Sequence, residues 1–218
     1  MSQSRFALVI FDCDGVLVDS ELITNRIFAS MLNELGIPVT LEDMFEQFVG
    51  RSMATCLEKI AVLLGRPVPE DFVHQYHART NAALRSGLKA VPGIDTALDE
   101  INVPYCVASS GSHEKMQTTL GVTGLLPRFQ NKIFSVTEVA RGKPFPDVFL
   151  HAAAKLGFAA SECAVVEDSP AGVAAGVAAG MTVYGYCALL PQHRLQEAGA
   201  HYTFDSMREL PRLLSEVR

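Results

Sequence analysis

The stretch Phe6-Ala7-Leu8-Val9-Ile10-Phe11-Asp12-Cys13-Asp14-Gly15 governs how the rest of the sequence is interpreted. Six apolar residues run without interruption and then stop at two acids and a glycine. A short apolar run of this kind is typical of a strand buried on both faces, as in a parallel sheet. Gly15 permits a turn, so the side chains of residues 12 and 14 can face one site. The stretch therefore predicts a buried strand with two carboxylates at its carboxyl end.

Later β-rich runs alternate with helical patterns. The runs are 105–108, 164–166 and 182–186, with a weaker one at 132–135, and helices are predicted near 94–101, 114–120, 147–156 and 171–179. Strands that alternate with helices predict an α/β fold with a doubly wound parallel sheet and a Rossmann-like core. Gly172, Gly176 and Gly180 recur at every fourth position. This spacing predicts a helix of small residues that packs tightly on the sheet and ends at Gly180.

Residues 17–88 break the alternation. They contain no convincing strand and predict helices near 21–35, 41–48, 55–64 and 70–85. Such a block predicts a small all-helical domain inserted into the core. The α/β core would then consist of residues 1–16 and 89–218.

The net charge and the N-terminal stretch argue against nucleic-acid and membrane partners. The net charge of -6 argues against a broad nucleic-acid surface but permits a local pocket for a small phosphorylated ligand. Five cysteines without close metal-ligand spacing predict reduced thiols in a cytoplasmic protein. The N-terminal stretch looks like neither a signal peptide nor a membrane span, so no membrane partner is expected. We expect a monomer or a weak dimer.

Ligands of open α/β sheets bind beyond the carboxyl ends of the strands. The polar residues that follow the predicted strands are therefore the candidate site residues: Asp12, Asp14, Ser109, Ser110, Gly111, Lys143, Glu167 and Asp168. Carboxylates with one ammonium group form an oxygen-rich site, which favours Mg²⁺ and phosphate chemistry. A carboxylate such as Asp12 can act as a nucleophile, and Asp14 can transfer the proton. Ser109 has an alternative interpretation as a helix N-cap.

Four segments resemble the motifs of the haloacid-dehalogenase-like hydrolase superfamily, in the subgroup with a helical cap. Residues 12–20 resemble the first motif, 107–110 the second, 143–144 the third and 166–169 the fourth, so the resemblance spans nearly the whole chain. It implies a magnesium-dependent phosphatase. In that family pattern Asp12 forms an aspartyl-phosphate and binds Mg²⁺. Asp14 is the general acid and base, and its backbone carbonyl binds the metal.

The same resemblance implies the remaining roles. Ser109 and the amide that follows it would hold phosphate oxygens, with Ser110 and Gly111 in the phosphate loop, and Lys143 would bridge nucleophile and phosphate. Asp168 would bind the metal, and Glu167 would either bind it or steady Lys143. Residues 17–88 would be a mobile cap that closes and excludes water. Gly50 and Arg51 occupy the cap loop that contacts the substrate's leaving group, although Arg51 can also be interpreted as a surface residue.

Several residues of this chain differ from those that particular subgroups of the family require, and these differences argue against some activities. Asp14 and Asp168 argue against a dehalogenase, which needs neither the second aspartate nor the magnesium cluster. Met53 stands where phosphonoacetaldehyde hydrolase has its cap lysine, and Thr24 where β-phosphoglucomutases have a histidine. Hydrolysis of a small sugar or sugar-acid phosphate remains, with 6-phosphogluconate as one candidate. A phosphosugar mutase and a non-catalytic protein that binds a phosphorylated ligand stay open as alternatives.

Overall fold

The computed structural model describes residues 5–49, 51 and 53–215. The chain divides into two compact units, Met1–Asp19 with Lys89–Arg218, and Ser20–Leu88. The helical unit thus starts slightly after residue 17, because Val18 forms a bridge with Ala90 and Leu17 accepts a hydrogen bond from the Val91 amide at 3.0 Å. Within the described residues, no helix has both the length and the apolar character needed to span a membrane.

The larger unit is built on a six-stranded sheet in which every neighbouring pair is parallel. Its strands are β1 (Leu8–Phe11), β2 (Tyr105–Ser109), β3 (Ile133–Ser135), β4 (Cys163–Glu167), β5 (Thr182–Tyr186) and β6 (Tyr202–Phe204). The spatial order is β3-β2-β1-β4-β5-β6. The predicted doubly wound α/β sheet is therefore confirmed.

Strand β1 lies at the centre of the sheet, and all four of its side chains are fully buried. Burying an aliphatic or aromatic side chain contributes roughly 1.5–3 kcal/mol, so this strand is a main source of stability. Phe11 aligns with Val107 on one side and with Val166 on the other. The three strands β2, β1 and β4 therefore end at the same edge. The strand order reverses beside β1, which is where ligands bind in open α/β sheets.

The helical unit contains α1 (Glu21–Glu34), α2 (Leu41–Gln47), α3 (Met53–Leu64) and α4 (Phe72–Gly87). Thr40 begins α2 with a capping box, since its hydroxyl accepts from the Asp43 amide while Asp43 accepts from the Thr40 amide. The unit has its own apolar core around Phe28. That ring lies 5.6 Å from the Phe72 ring and 5.1 Å from the Tyr76 ring, both edge-on. Aromatic pairs in this geometry stabilise the packing beyond the area they bury.

The helices of the larger unit are α5 (Ile94–Glu100), α6 (His113–Val122), α7 (Asp147–Leu156), α8 (Pro170–Ala178), α9 (Gln192–Glu197) and α10 (Leu210–Ser215). Helix α8 packs as its glycines predict. A Cβ on Gly176 would come within 2.7 Å of the Val183 side chain in β5, and Gly180 ends the segment with a φ of +72°. Strand β6 and helices α9 and α10 were not predicted, because each is short and lacks a sustained apolar period.

Candidate active site

Lys143 lies at the centre of the edge where β1, β2 and β4 end. Its ammonium group donates to Asp12 Oδ1 at 2.6 Å and to Glu167 Oε1 at 2.6 Å, with the Ala108 carbonyl at 3.3 Å. The Lys143 side chain is 6% exposed. Asp12 directly follows β1, and its amide donates to the Val166 carbonyl at 2.9 Å, which holds its backbone against β4. The sheet itself thus fixes the position of the Asp12 carboxylate.

The charges at this edge oppose one another strongly. Burial raises the pKa of the Asp12 carboxyl group, Lys143 works to lower it, and the neighbouring Glu167 raises it further. Burial alone would lower the pKa of Lys143, but its two carboxylate partners raise it above its ordinary value. The two carboxylates therefore favour the protonated form of Lys143. One ammonium group does not neutralise the acids around it, and the site favours a further cation.

Glu167 is buried and holds Lys143 in place. Its Oε2 accepts from the Ser169 amide at 3.0 Å and from the Ser169 hydroxyl at 2.9 Å, while Oε1 faces Lys143. The Ser169 hydroxyl also accepts from the Gly172 amide at 3.1 Å and so caps α8. A Cβ on Gly172 would collide with the Glu167 carboxylate. The absence of a side chain there makes room for this network.

Three acids at this edge have the arrangement of a metal site. One carboxylate oxygen from each of Asp12, Glu167 and Asp168 lies within 4.8 Å of the other two. Gly15 makes this approach possible, because its φ is +74° and a Cβ there would collide with the Asp168 carboxylate. Donors that are all oxygen suit a hard cation such as Mg²⁺. The residues present therefore fit the expected Mg²⁺. The excess of negative charge from these carboxylates favours binding of a cation.

The loop after β2 forms the beginning of a helix. Ser109 is buried, and its hydroxyl accepts from the Gly111 amide at 3.1 Å. Ser112 is the N-cap of α6, since its hydroxyl accepts from the Lys115 amide at 3.2 Å. The alternative interpretation of Ser109 as the helix cap is therefore wrong. The Ser135 hydroxyl at the end of β3 donates to the Gly111 carbonyl at 2.7 Å, so the loop is held from two sides.

Asp14 has a cationic partner that the sequence pattern does not indicate. The Lys115 ammonium group donates to Asp14 Oδ2 at 2.6 Å. Burial works to lower the pKa of Lys115, but the Asp14 carboxylate raises it above its ordinary value. Asp12 and Asp14 thus pair with different lysines. The signal in the sequence was the position of Lys115, in the first turn of the helix that follows the loop after β2.

Gly50 and Arg51 are the two site residues predicted in the helical unit, and the structure describes only Arg51. Gly50 lies outside the described residues. Arg51 is exposed and lines a cavity of about 220 Å³ within this unit. The polar residues Glu21, Thr24 and Asn25 line the same cavity, together with apolar and aromatic side chains of α1, α2, α3 and α4. The cavity is large enough for a small organic group and carries one exposed cation.

This combination of a parallel sheet, paired carboxylates and a buried lysine defines a class of hydrolase. The family model described as haloacid dehalogenase-like hydrolase matches residues 9–186. The chain belongs to this family, which confirms the resemblance inferred from the four motifs.

Comparison with individual members of the family indicates which reaction the chain catalyses. The chain is 35% identical to 6-phosphogluconate phosphatase of Escherichia coli (strain K12), over 96% of this chain and 95% of that protein. It is 33% identical to hexitol phosphatase A of the same strain, over 86% of each protein. Among solved structures, a haloacid dehalogenase family hydrolase of Deinococcus radiodurans R1 with bound phosphate and sodium has a TM-score of 0.85 at 33% identity, covering 98% of this chain and 96% of that one. The prediction of a phosphatase is confirmed.

Proposed function

We propose that this phosphatase is a magnesium-dependent phosphomonoester hydrolase that acts on a small sugar or sugar-acid phosphate through an aspartyl-phosphate on Asp12. One observation carries the proposal. A buried aspartate at the end of the central strand is held 2.6 Å from a buried lysine, with two further acids in metal-binding range. A carboxylate fixed in this way can attack phosphorus while the lysine neutralises the phosphoryl oxygens.

The proposed reaction has two steps at phosphorus. In the first, an Asp12 carboxylate oxygen attacks, the bond between phosphorus and the ester oxygen breaks, and Asp14 gives its proton to the departing alkoxide. In the second, water attacks the phosphorus of the aspartyl-phosphate while Asp14 takes a proton from that water. The bond between phosphorus and Asp12 then breaks, and inorganic phosphate leaves. Asp14 serves as acid and then as base, which suits a carboxyl group that returns to its starting state.

The phosphate loop is proposed to hold the transferred phosphoryl group. Ser109, the amide of Ser110 and the loop residue Gly111 lie between the end of β2 and the first turn of α6, a helix of ten residues. Helix N-termini present unpaired amides and a positive dipole end, which favour an anion. The Ser135 and Ser112 hydroxyls that hold this segment give it a fixed shape before substrate arrives.

Mg²⁺ would be held by Asp12, Asp168 and the backbone carbonyl of Asp14, and it would neutralise charge on the phosphoryl oxygens. Glu167 had two expected roles, metal ligand or support for Lys143. Both of its oxygens accept hydrogen bonds from protein donors, Lys143 on one side and Ser169 on the other. These contacts favour support of Lys143 as its main role. The expected cytoplasmic location and the monomer or weak dimer stay predictions.

A screen of phosphorylated metabolites tests the proposal. Free phosphate is measured with 6-phosphogluconate, hexose and hexitol phosphates and phosphoglycolate, with Mg²⁺ and with excess EDTA. We expect stoichiometric phosphate release that requires Mg²⁺, with a sugar or sugar-acid phosphate as the preferred substrate. Full activity in EDTA would contradict the metal assignment. Isomerised sugar phosphate with little free phosphate would indicate the mutase. Binding without either product would indicate the non-catalytic alternative.

Residues 17–88 are proposed to act as the family's cap, with Gly50 and Arg51 contacting the leaving group. The guanidinium group of Arg51 suits a carboxylate or a second phosphate, which it can bind through two hydrogen bonds.

We expect Arg51→Ala to raise KM for an anionic sugar-acid phosphate by about 10- to 100-fold, the range of one charged hydrogen bond. Its KM for a hexitol phosphate, whose leaving group carries no charge, should change much less. Arg66→Ala, at another exposed arginine of the same unit, is the matched control. An unchanged substrate ranking in Arg51→Ala would reject a substrate contact.

A further inference from the structure

The ion pair between Lys115 and Asp14 joins two parts of the site that are distant in sequence. The Lys115 ammonium group lies 2.6 Å from Asp14 Oδ2, and the two side chains are 34% and 21% exposed. The pair is thus largely withdrawn from solvent, unlike the Arg79–Glu34 pair of the helical unit, where both side chains are at least 40% exposed. Partly buried pairs hold a more defined geometry than exposed ones, which are often worth little.

The backbone of Lys115 is fixed by the phosphate loop. It is the third residue of α6, and its amide donates to the Ser112 hydroxyl that caps the helix. Its side chain passes Gly111, where an added Cβ would lie 3.5 Å from Lys115 Cδ. The same helical turn therefore shapes the loop proposed to bind phosphate and carries the cation that contacts Asp14. The loop proposed to bind phosphate and the Asp14 carboxylate are therefore both positioned by the first turn of α6.

Asp14 needs such a partner because its surroundings repel it. It lies in the turn after β1, next to Gly15 with its left-handed backbone and close to the acids that would hold the metal. Lys143 serves Asp12 and Glu167, and the structure pairs Lys115 with Asp14. Loss of the Lys115 ammonium group would remove a 2.6 Å contact that holds the Asp14 carboxylate against the repulsion of its negative neighbours. A displacement of about 1 Å can cost on the order of 100-fold in rate.

We propose that Lys115 is a positioning residue for the phosphatase reaction, holding the Asp14 carboxylate where it delivers and takes the proton. This inference rests on the proposed function, in which Asp14 is the general acid and base. Lys115 acts through Asp14 and does not itself need to touch substrate. Removing Lys115 should therefore slow the steps in which Asp14 transfers a proton and leave unchanged a step that needs no proton transfer.

Leaving-group chemistry separates this role from a general structural one. An alkyl phosphate such as glycerol phosphate needs a proton on its leaving oxygen, whereas p-nitrophenolate departs without one. Lys115→Met keeps the unbranched stem and removes the charge. We expect it to lower kcat for the alkyl phosphate by about 10- to 100-fold, with KM changed by less than about threefold, as expected for misaligned acid and base catalysis. With p-nitrophenyl phosphate, the pre-steady-state burst should keep its wild-type rate, and only the following turnover should slow.

Three variants complete the experiment. Lys115→Arg, which keeps the charge, should recover a large part of kcat. Lys155→Met removes an exposed lysine in the last turn of α7 and should leave both substrates unaffected. Adding Lys115→Met to Asp14→Asn should cause little further loss of kcat, because the group that Lys115 holds is already disabled.

Each outcome bears on one claim. If Lys115→Met has wild-type kcat on the alkyl phosphate, the inference fails while the proposed function stands. If it slows the p-nitrophenolate burst equally, or loses the same factor in the Asp14→Asn background, Lys115 supports the phosphate loop instead, and the inference also fails. If the wild-type enzyme releases no phosphate from any substrate with Mg²⁺ present, the proposed function fails first and the inference with it.

Discussion

Asp12→Asn should lower phosphate release by a factor of about 10⁴ or more, because an amide cannot replace the carboxylate nucleophile. The substitution keeps the size of the side chain, and the Asp12 amide keeps its hydrogen bond to the Val166 carbonyl. Lys143 also retains Glu167 as a partner at 2.6 Å. The fold should therefore survive. Steady-state phosphate release and the thermal unfolding midpoint, measured side by side, check both parts of the prediction.

A matched control isolates the role of this carboxylate. Asp95 lies on α5 with 65% of its side chain exposed and a distant 3.8 Å contact to Arg128. Asp95→Asn removes the same charge away from the site and should leave turnover within about twofold of wild type, as for most surface substitutions. Undiminished turnover in Asp12→Asn would contradict the proposed mechanism. A collapse of the unfolding midpoint in that variant would show that its activity loss reflects unfolding.

Lys143→Met should damage both activity and stability. Lys143 faces two carboxylates at 2.6 Å in a site where its own side chain is 6% exposed and that of Glu167 1% exposed. Removing one partner of a buried ion pair leaves uncompensated charge, which costs about 3–5 kcal/mol. Loss of the cation that neutralises the phosphoryl group should lower kcat by about 10²–10³-fold, the range seen for a single electrostatic stabiliser. Urea unfolding and steady-state kinetics measure the two effects.

Magnesium should offset part of the stability loss in Lys143→Met, since a cation would face the same acids. Lys155→Met serves again as the control for a lost lysine. An unfolding free energy within 1 kcal/mol of wild type in Lys143→Met, without Mg²⁺, would contradict the ion-pair account. Wild-type kcat in that variant would contradict the role of Lys143 at the phosphoryl group.

The sequence predicts the sheet well where burial is continuous. The run at residues 6–11 contains β1, which begins at Leu8, and the predicted boundaries of β5 and α7 are correct. A buried strand or an amphipathic helix imposes a clear pattern on the sequence. Strand β6 carries only three residues, Tyr202–Phe204, and lies at the edge of the sheet, where it pairs with β5 alone. Its extended conformation depends on pairing with β5, because the sequence around it has no apolar run. Tertiary context decides such short elements.

The candidate site is predictable for a related reason. Residues that follow parallel strands share one edge, so the meeting of Asp12, Lys143 and Glu167 follows from topology. Which carboxylate pairs with which lysine does not, because it depends on side-chain reach and helix direction. The pairing of Lys115 with Asp14 is one such case. Gly172 is another: the repeat predicts helix packing, while the structure shows that this glycine also leaves room for Glu167.

The proposed reaction depends on a covalent phosphoryl group on Asp12, which can be detected by trapping the intermediate. The enzyme is mixed with substrate and Mg²⁺, quenched in acid within one turnover, digested, and examined by mass spectrometry. We expect the peptide that contains Asp12 to carry one phosphoryl group, which is lost on treatment with hydroxylamine and absent in Asp12→Asn. Rapid phosphate release with that peptide unmodified throughout, or a phosphoryl group on another residue, would contradict it.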